Sequence, residues 1–183
     1  MPKLPFPDPP PADDLIRLRP WREADVKPAH RATQDALIPR FTSVPLNQSE
    51  ENVRRYFAGQ EPARKAGEAL TLAIADARSD TFLGTIALLR LEWAHGRGEV
   101  GYWVAPWARR RGVATRAVGM LSRWALRELD LGRLALLTDI DNEASQAVAR
   151  RCGFQREGVL RAFERREDGR RHDLVVFSLL AED

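Results

Sequence analysis

Residues 100–115 read Val100-Gly101-Tyr102-Trp103-Val104-Ala105-Pro106-Trp107-Ala108-Arg109-Arg110-Arg111-Gly112-Val113-Ala114-Thr115. This pattern indicates a strand that ends at Pro106, then an arginine-rich loop, then a helix that begins at Gly112. The first turn of a helix has unpaired N–H groups and a partial positive charge. Gly112 and Ala114 have no bulky side chain, so a diphosphate could approach this main chain closely. The stretch predicts either an anion site or a solvated basic loop before an ordinary helix.

The elements on either side of this stretch indicate an α/β protein. The predicted strands cover residues 15–20, 69–75, 81–91, 99–105, 134–137, 159–166 and 173–180. The predicted helices cover residues 22–35, 49–65, 112–129 and 142–151. The resulting order, β-α-α-β-β-β-α-β-α-β-β, is typical of a mixed sheet with an antiparallel meander in its middle. Residues 39–45 are expected to be irregular, Gly84 to form a bulge or bend, and Asp168-Gly169 to turn the last hairpin.

Length and composition favour one folded domain with a short extension. The chain has 183 residues, of which 44% are apolar and 30% charged, enough apolar material for a full core. Half of the 12 prolines fall within residues 1–13. Proline prevents helix formation there, so this extension is expected to lie extended on the surface or to be disordered. We therefore predict a single domain at residues 14–183.

Several classes of protein are disfavoured by what the sequence lacks. There is no apolar run long enough for a membrane span and no signal-peptide pattern, so we expect a cytoplasmic protein without a membrane partner. One cysteine and 3 scattered histidines offer no metal-ligating cluster, and none is expected. The net charge is only +3, and acidic residues are interspersed among the arginines, which argues against an arginine-rich nucleic-acid binder.

Several motifs in the same order resemble one enzyme family. Arg109-Arg110-Arg111-Gly112-Val113-Ala114 is similar to the Arg/Gln-x-x-Gly-x-Gly/Ala pattern with which GNAT acetyltransferases wrap the diphosphate of acetyl-coenzyme A. The further motifs Gly101-Tyr102-Trp103-Val104, Asn142-Glu143-Ala144-Ser145, Gly153-Phe154 and Asp168-Gly169-Arg170-Arg171-His172-Asp173 resemble the RimJ/RimL branch. The likeness covers residues 15–180. It implies a GNAT-type mixed sheet with splayed middle strands, and transfer of an acetyl group to a primary amine, above all a protein N-terminal α-amine.

The resemblance also implies where the acyl donor lies. Residues 100–104 would be the splayed strand and residues 134–140 its partner, with a backbone N–H near Val104 stabilising the oxyanion of the acyl transfer. Trp103 could equally be an ordinary core aromatic. The residues implied to hold acetyl-coenzyme A are Trp103, Val104, Arg109, Arg110, Arg111, Gly112, Val113, Ala114, Thr115, Asn142 and Ser145.

Asn142 and Ser145 are implied to act on the donor side of the reaction. Many GNAT enzymes carry a tyrosine four residues before the Gly-Phe pair, and this chain has Ala149 there. The RimJ/RimL branch instead carries Asn-x-x-Ser, so Ser145 is implied to protonate the departing thiolate and Asn142 to help orient the donor. From the sequence alone the two are also a normal N-cap and first-turn residue.

Glu164 is the implied base, acting through water, and Glu99 is its rival. Glu164 could equally be an exposed strand residue paired with Arg165 or Arg166. An α-amine of pKa ~8 is about one-tenth neutral at pH 7, whereas lysine at ~10.4 is neutral about once in ~2,500 molecules. A weak base therefore suits an N-terminal amine. Phe41, Trp93 and Tyr102, together with Glu99, are the candidates for binding the acceptor.

Other functions stay open at the level of sequence. The same fold could acylate a small-molecule amine such as an antibiotic or a polyamine, or bind coenzyme A without turnover. The sequence also leaves the choice between a monomer and a homodimer open.

Overall fold

A computed structural model describes residues 3–166 and 169–183, which form one mixed seven-stranded sheet in the order β1-β2-β3-β4-β5-β7-β6. The strands are β1 (Ile16–Arg19), β2 (Leu70–Asp76), β3 (Phe82–Glu92), β4 (Arg97–Val104), β5 (Arg133–Asp139), β6 (Gln155–Arg165) and β7 (Arg171–Leu180). The helices are α1 (Val26–Thr33), α2 (Leu37–Phe41), α3 (Glu50–Ala66), α4 (Val113–Glu128) and α5 (Glu143–Arg151). The β4–β5 pair is parallel and the other neighbouring strands are antiparallel.

The two faces of the sheet are covered by different helices. Leu72 and Ile74 of β2 pack in one large core with Leu121 of α4, because alternate residues of a strand point to the same face. Ala73, between them, belongs to a second core with Phe57 of α3. The small residue on that second face leaves room for the aromatic ring. This arrangement places α4 and α5 on one face of the sheet, against β4 and β5, and α1 and α3 on the other face, against β2 and β3.

The predicted order of elements holds with one addition. Residues 37–41 form the short helix α2, although residues 39–45 were expected to be irregular. Pro39 is tolerated because it stands in the first turn, where its missing N–H would have no helical partner. α1 begins at Val26, later than predicted, since a 3-10 turn at Glu23–Asp25 precedes it. The predicted hairpin turn is described only at Gly169, because Asp168 lies outside the described residues.

Gly84 fixes how β3 meets the end of β4. A Cβ atom built on Gly84 would lie 2.3 Å from the backbone oxygen of Trp103, so only glycine allows this approach. The β2–β3 register shifts between Ile74 and Ala75, opposite Gly84, which confirms the bulge predicted at this glycine. The bulge brings the last residues of β4 close to β3.

The proline-rich segment packs against the domain. Leu4 is fully buried in the core with α4, and its N–H donates to the carbonyl oxygen of Arg64 at 3.2 Å. The Arg64 guanidinium lies 4.2 Å from the centre of the Phe6 ring.

Among the described residues, none of the helices combines the length and the apolar character that a membrane span requires.

Candidate active site

The centre of the sheet is split between β4 and β5. The two strands pair only at Arg97 with Arg133, Gly98 with Leu134 and Glu99 with Ala135. Beyond these pairs, β4 continues along β3 to Val104, and β5 continues along β7 to Asp139. A wedge-shaped opening therefore lies between residues 100–104 and 136–139, as the splayed strands of the predicted fold require.

The end of β4 turns a backbone donor toward this opening. The N–H of Ala105 donates to the carbonyl oxygen of Leu83 on the β3 side, at 2.8 Å. Successive N–H groups of a strand point to opposite edges, so the N–H of Val104 faces the opening. Trp103 is different, since its indole ring packs at 5.8 Å on Phe82 in the core against α1 and α3. Trp103 can therefore contribute to the opening only through its main chain.

The loop after β4 presents unpaired main-chain donors at the start of α4. Gly112 is the N-cap residue of α4 and has φ +79°, a left-handed conformation that glycine adopts without strain. Because glycine has no side chain, the cap makes no side-chain hydrogen bond to the first turn. The first hydrogen bond of helical type is the one that the N–H of Arg116 donates to the carbonyl oxygen of Gly112 at 3.1 Å. Among the described residues, the N–H groups of Val113, Ala114 and Thr115 have no partner. These N–H groups and the helix dipole fit a diphosphate, the first of the two alternatives that the sequence offers for this loop.

The three arginines of the loop do not act alike. The Arg109 guanidinium is turned away from the helix start: it pairs with Asp35 at 2.7 Å and donates to the carbonyl oxygen of Val104 at 3.3 Å. This pair holds the pKa of Asp35 below its usual range. Arg110 and Arg111 are exposed beside the unpaired N–H groups. Arg109 therefore braces the loop, and the positive charge available to an anion comes from its two neighbours.

Tyr102 and Ser145 meet across the opening. The Tyr102 hydroxyl on β4 donates to Ser145 Oγ on α5 at 3.0 Å. Burial raises the pKa of Tyr102 to about 12, although the bond to Ser145 opposes part of that rise. Asn142 is the N-cap of α5 and accepts from the Ser145 N–H at 3.1 Å, as its capping interpretation predicted. The sequence placed Tyr102 with the acceptor residues, whereas the structure brings its hydroxyl to Ser145.

Glu164 lies in a cleft between the α2 region and the β6–β7 hairpin. The cleft is lined by Pro39, Thr42, Ser43, Val44, Glu164, Arg165 and Arg166. Glu164 Oε2 accepts from Arg166 Nε at 3.1 Å, so one of the two arginine partners considered from the sequence is present. Phe41, predicted to bind the acceptor, ends α2 beside this cleft.

Two other predicted acceptor residues lie away from the cleft. Trp93 stands in the β3–β4 connection, at the opposite end of β4 from Val104, where its indole N–H donates to the carbonyl of Gly67 at 2.8 Å. Glu99 belongs to the last β4–β5 pair, at the closed end of the opening, and forms an ion pair with Arg90 at 2.5 Å. Neither geometry favours contact with an amine at the open end.

Sequence reasoning missed Asp139, and it considered Arg166 only as a partner of an exposed Glu164. Asp139 is 3% exposed at the end of β5, where its carboxylate lies 2.8 Å from the Arg166 guanidinium and 3.1 Å from His172 Nδ1. An acidic residue after an apolar parallel strand was a usable signal, because ligands bind at such strand ends in open sheets. Nothing in the sequence distinguishes Arg166 from the other arginines of this hairpin as a residue of the site. In the part of the chain that the structure describes, no three His, Cys, Asp or Glu side chains gather into a metal site.

Comparisons with known proteins agree with this geometry. The acetyltransferase (GNAT) domain family matches residues 16–155. YdaF of Bacillus subtilis (strain 168), provisionally named a ribosomal N-acetyltransferase, is 39% identical over 97 residues, which are 53% of this chain and 52% of YdaF. The ribosomal-protein-serine acetyltransferase of Escherichia coli (strain K12) is 30% identical over 117 residues, which are 64% of each protein. The chain thus spans about half to two-thirds of the length of these curated relatives.

A solved structure has the same fold. RimL, a ribosomal L7/L12 alpha-N-protein acetyltransferase in complex with coenzyme A, aligns with a TM-score of 0.84 at 24% identity, over 93% of this chain and 96% of RimL. This likeness shows the fold, and the curated relatives support the resemblance to the RimJ/RimL branch. A family match over most of the chain, on a sheet that splits between β4 and β5, shows that the chain belongs to the acetyltransferase (GNAT) family.

Proposed function

We propose that the protein transfers an acetyl group from acetyl-coenzyme A to a primary amine by direct attack, and that the acceptor is the N-terminal α-amine of a protein or peptide. The observation that carries this proposal is the split between β4 and β5 beside the unpaired N–H groups of α4. The split offers strand edges to the pantetheine arm, and the helix start offers donors to the diphosphate.

The donor side of the proposal rests on the main chain. Acetyl-coenzyme A, when bound, supplies an activated acyl carbon and a thiol leaving group. The N–H of Val104 would donate to the carbonyl oxygen as negative charge develops there. Loop residues 109–115 would hold the diphosphate through their N–H groups, with Arg110 and Arg111 adding charge. Asn142 would orient the donor through its place at the start of α5.

Two protons move in the proposed reaction, and one residue handles each of them. The amine nitrogen forms the new C–N bond as the C–S bond breaks. The proton lost by the amine passes to Glu164 through water, and the sulfur takes a proton from Ser145, which recovers one from solvent during turnover. Tyr102 supports this role because its hydroxyl donates a hydrogen bond to Ser145 Oγ. The hydrogen of the serine hydroxyl is then free to point to the sulfur.

The choice of an α-amine rests on two arguments. An α-amine of pKa ~8 is partly neutral near pH 7, so it needs only a weak base such as a carboxylate acting through water. In addition, the two curated relatives described above are named for acetylation of ribosomes or ribosomal proteins. A polyamine or an antibiotic amine is the competing acceptor class, and the same cleft beside Glu164 would receive it.

Thiol release on mixing the protein with acetyl-coenzyme A and an amine tests the proposal. Peptides that begin with Ser or Ala are compared with the same peptides carrying a blocked N-terminus and an internal lysine, and with spermidine. We expect turnover of the free N-termini only. Turnover of spermidine alone would replace the proposed acceptor class. No thiol release with any amine, despite coenzyme A binding, would indicate a binding module without turnover.

A further inference from the structure

Arg166 follows β6 directly. Its guanidinium is 9% exposed and touches three different parts of the fold. Nε donates to Glu164 Oε2 at 3.1 Å, and Nη1 lies 2.8 Å from Asp139 Oδ2 and also donates to the carbonyl of Arg40 in α2. One buried cation thus joins the end of β5, the proposed base and the far wall of the cleft.

The two carboxylates beside Arg166 have different environments. Asp139 is almost completely buried, and it also accepts from the N–H of Asp141 at 2.8 Å, so its position is fixed by its neighbours. Glu164 is about one-third exposed at its side chain and lines the cleft. Among residues 3–166 and 169–183, its Oε1 has no hydrogen-bond partner. Asp139 therefore balances the charge of Arg166, while Glu164 keeps one oxygen available to a substrate.

The local backbone explains why Glu164 needs this support. The β6–β7 register places Leu160 opposite Leu174 and Glu164 opposite His172, so residues 161–163 bulge opposite a single residue of β7. Ala162 in this bulge has φ +51°, a conformation that an L-residue adopts with strain. After this bulge only Glu164 and Arg165 pair with β7, so strand pairing holds Glu164 over a short stretch. The guanidinium adds a contact to the carboxylate itself.

We propose that Arg166 is a positioning residue that holds the Glu164 carboxylate at the cleft, with Asp139 as its buried counter-charge. This role rests on the proposed function, in which Glu164 receives the proton of the attacking amine. Arg166 also lines the cleft, but a guanidinium cannot accept the proton of an amine, so its role is exerted through Glu164. Because a planar guanidinium donates in fixed directions, lysine cannot replace its contacts with Glu164, Asp139 and Arg40 at once.

A double-mutant cycle tests this role. Arg166→Gln is expected to lower kcat for a peptide N-terminus at least tenfold, with KM for acetyl-coenzyme A changed less than twofold. If Arg166 acts through Glu164, then Arg166→Gln/Glu164→Gln will be no slower than Glu164→Gln alone, because the two effects are not independent. Arg156→Gln removes the same charge at the other end of β6, where the side chain is exposed, and is the matched control.

The Arg166→Lys variant is the control for a loss of folding, because it keeps the buried positive charge. It should unfold near the temperature of the unaltered protein and yet lose most of the kcat that Arg166→Gln loses. Effects that multiply in the double variant, or a loss confined to KM for the amine, would overturn the positioning role. A wild-type kcat in Glu164→Gln would also overturn it while leaving acetyl transfer intact. The absence of thiol release from the unaltered protein would remove the proposed function itself.

Discussion

The Tyr102 hydroxyl lies 3.0 Å from Ser145 Oγ and donates to it across the opening in the sheet. The two residues are separated by 43 positions in the chain and belong to different elements, β4 and α5. Their contact joins β4, one wall of the opening, to the start of the helix that follows β5. It connects the proposed proton donor to a hydroxyl whose pKa is raised to about 12 by burial.

Tyr102→Phe should lower kcat about five- to tenfold, since it removes one neutral hydrogen bond worth about 1 kcal/mol. The ring and its packing are retained, so KM for acetyl-coenzyme A should stay within about twofold. Steady-state kinetics with a Ser-initiated peptide provides the measurement. In a Ser145→Ala background the same substitution should have no further effect on kcat. An equal loss in both backgrounds would show that Tyr102 does not act through Ser145.

The ionisation of tyrosine gives a second test, because the chain has only 2 tyrosines. Burial raises the pKa of Tyr102 to about 12 and also raises the pKa of Tyr56. Since the folded pKa of Tyr102 exceeds the unfolded value of ~10, its contribution to stability is present below pH ~10 and is lost as the pH rises toward about 12. Absorbance near 295 nm at pH 10 should therefore contain no contribution from Tyr102 in the native protein, so Tyr102→Phe should leave the native signal at that pH unchanged.

The matching control for this titration is the protein unfolded in urea, in which both tyrosines should ionise near pH ~10. Tyr102→Phe should remove the highest native step and leave that of Tyr56. A native step near pH 10 that Tyr102→Phe abolishes would contradict the buried environment described for this ring.

Gly112→Val should weaken coenzyme A binding at least tenfold in calorimetry. Gly112 has φ +79°, and a β-branched residue there costs about 1–2 kcal/mol, so the start of α4 should shift and its free N–H groups lose their common direction. Gly59→Val, at an exposed position of α3 with open space around it, is the control. An unchanged dissociation constant in a folded Gly112→Val protein would show that these N–H groups do not bind the diphosphate.

Leu4→Ala should lower the free energy of unfolding by about 2–5 kcal/mol, the usual cost of truncating a fully buried leucine. Denaturant unfolding measures this, with Leu46→Ala as the control, because Leu46 is 56% exposed and should change stability by less than about 0.5 kcal/mol. kcat should be unaffected. A stability loss no larger than that of the control would favour residues 14–183 as the complete folding unit.

The sequence was sufficient for features whose signals are local. Proline at 106 and glycine at 112 mark the end of β4 and the start of α4, because each residue type restricts its own backbone. Likewise, alternation in residues 70–74 predicted β2, although the strand is buried on both faces and not on one as the alternation indicates. The helix α2 was missed because five residues around a proline give too short a pattern to recognise.

Contacts between distant residues could not be predicted in the same way. The Arg166–Asp139 pair depends on the register of three strands and on the bulge in β6, and none of these has a signature in the residues themselves. Family resemblance supplied Glu164 and Ser145 as candidates. It did not supply Tyr102 as the partner of Ser145, since that contact follows from packing between β4 and α5.

The split between β4 and β5 leaves two strand edges without neighbours in the interior of a sheet, a situation that proteins normally restrict to its borders. Amide hydrogens along residues 100–104 and 136–139 that face the gap should therefore exchange with solvent faster than those that face β3 or β7. In the proposed function, the pantetheine arm of the donor would lie in this gap and pair with both strand edges. At one hundred times its dissociation constant, such a ligand adds about 2.7 kcal/mol to the stability of the folded chain. The bound donor would thus stabilise the sheet that binds it, and the free energy of unfolding would be lowest in the protein without acetyl-coenzyme A.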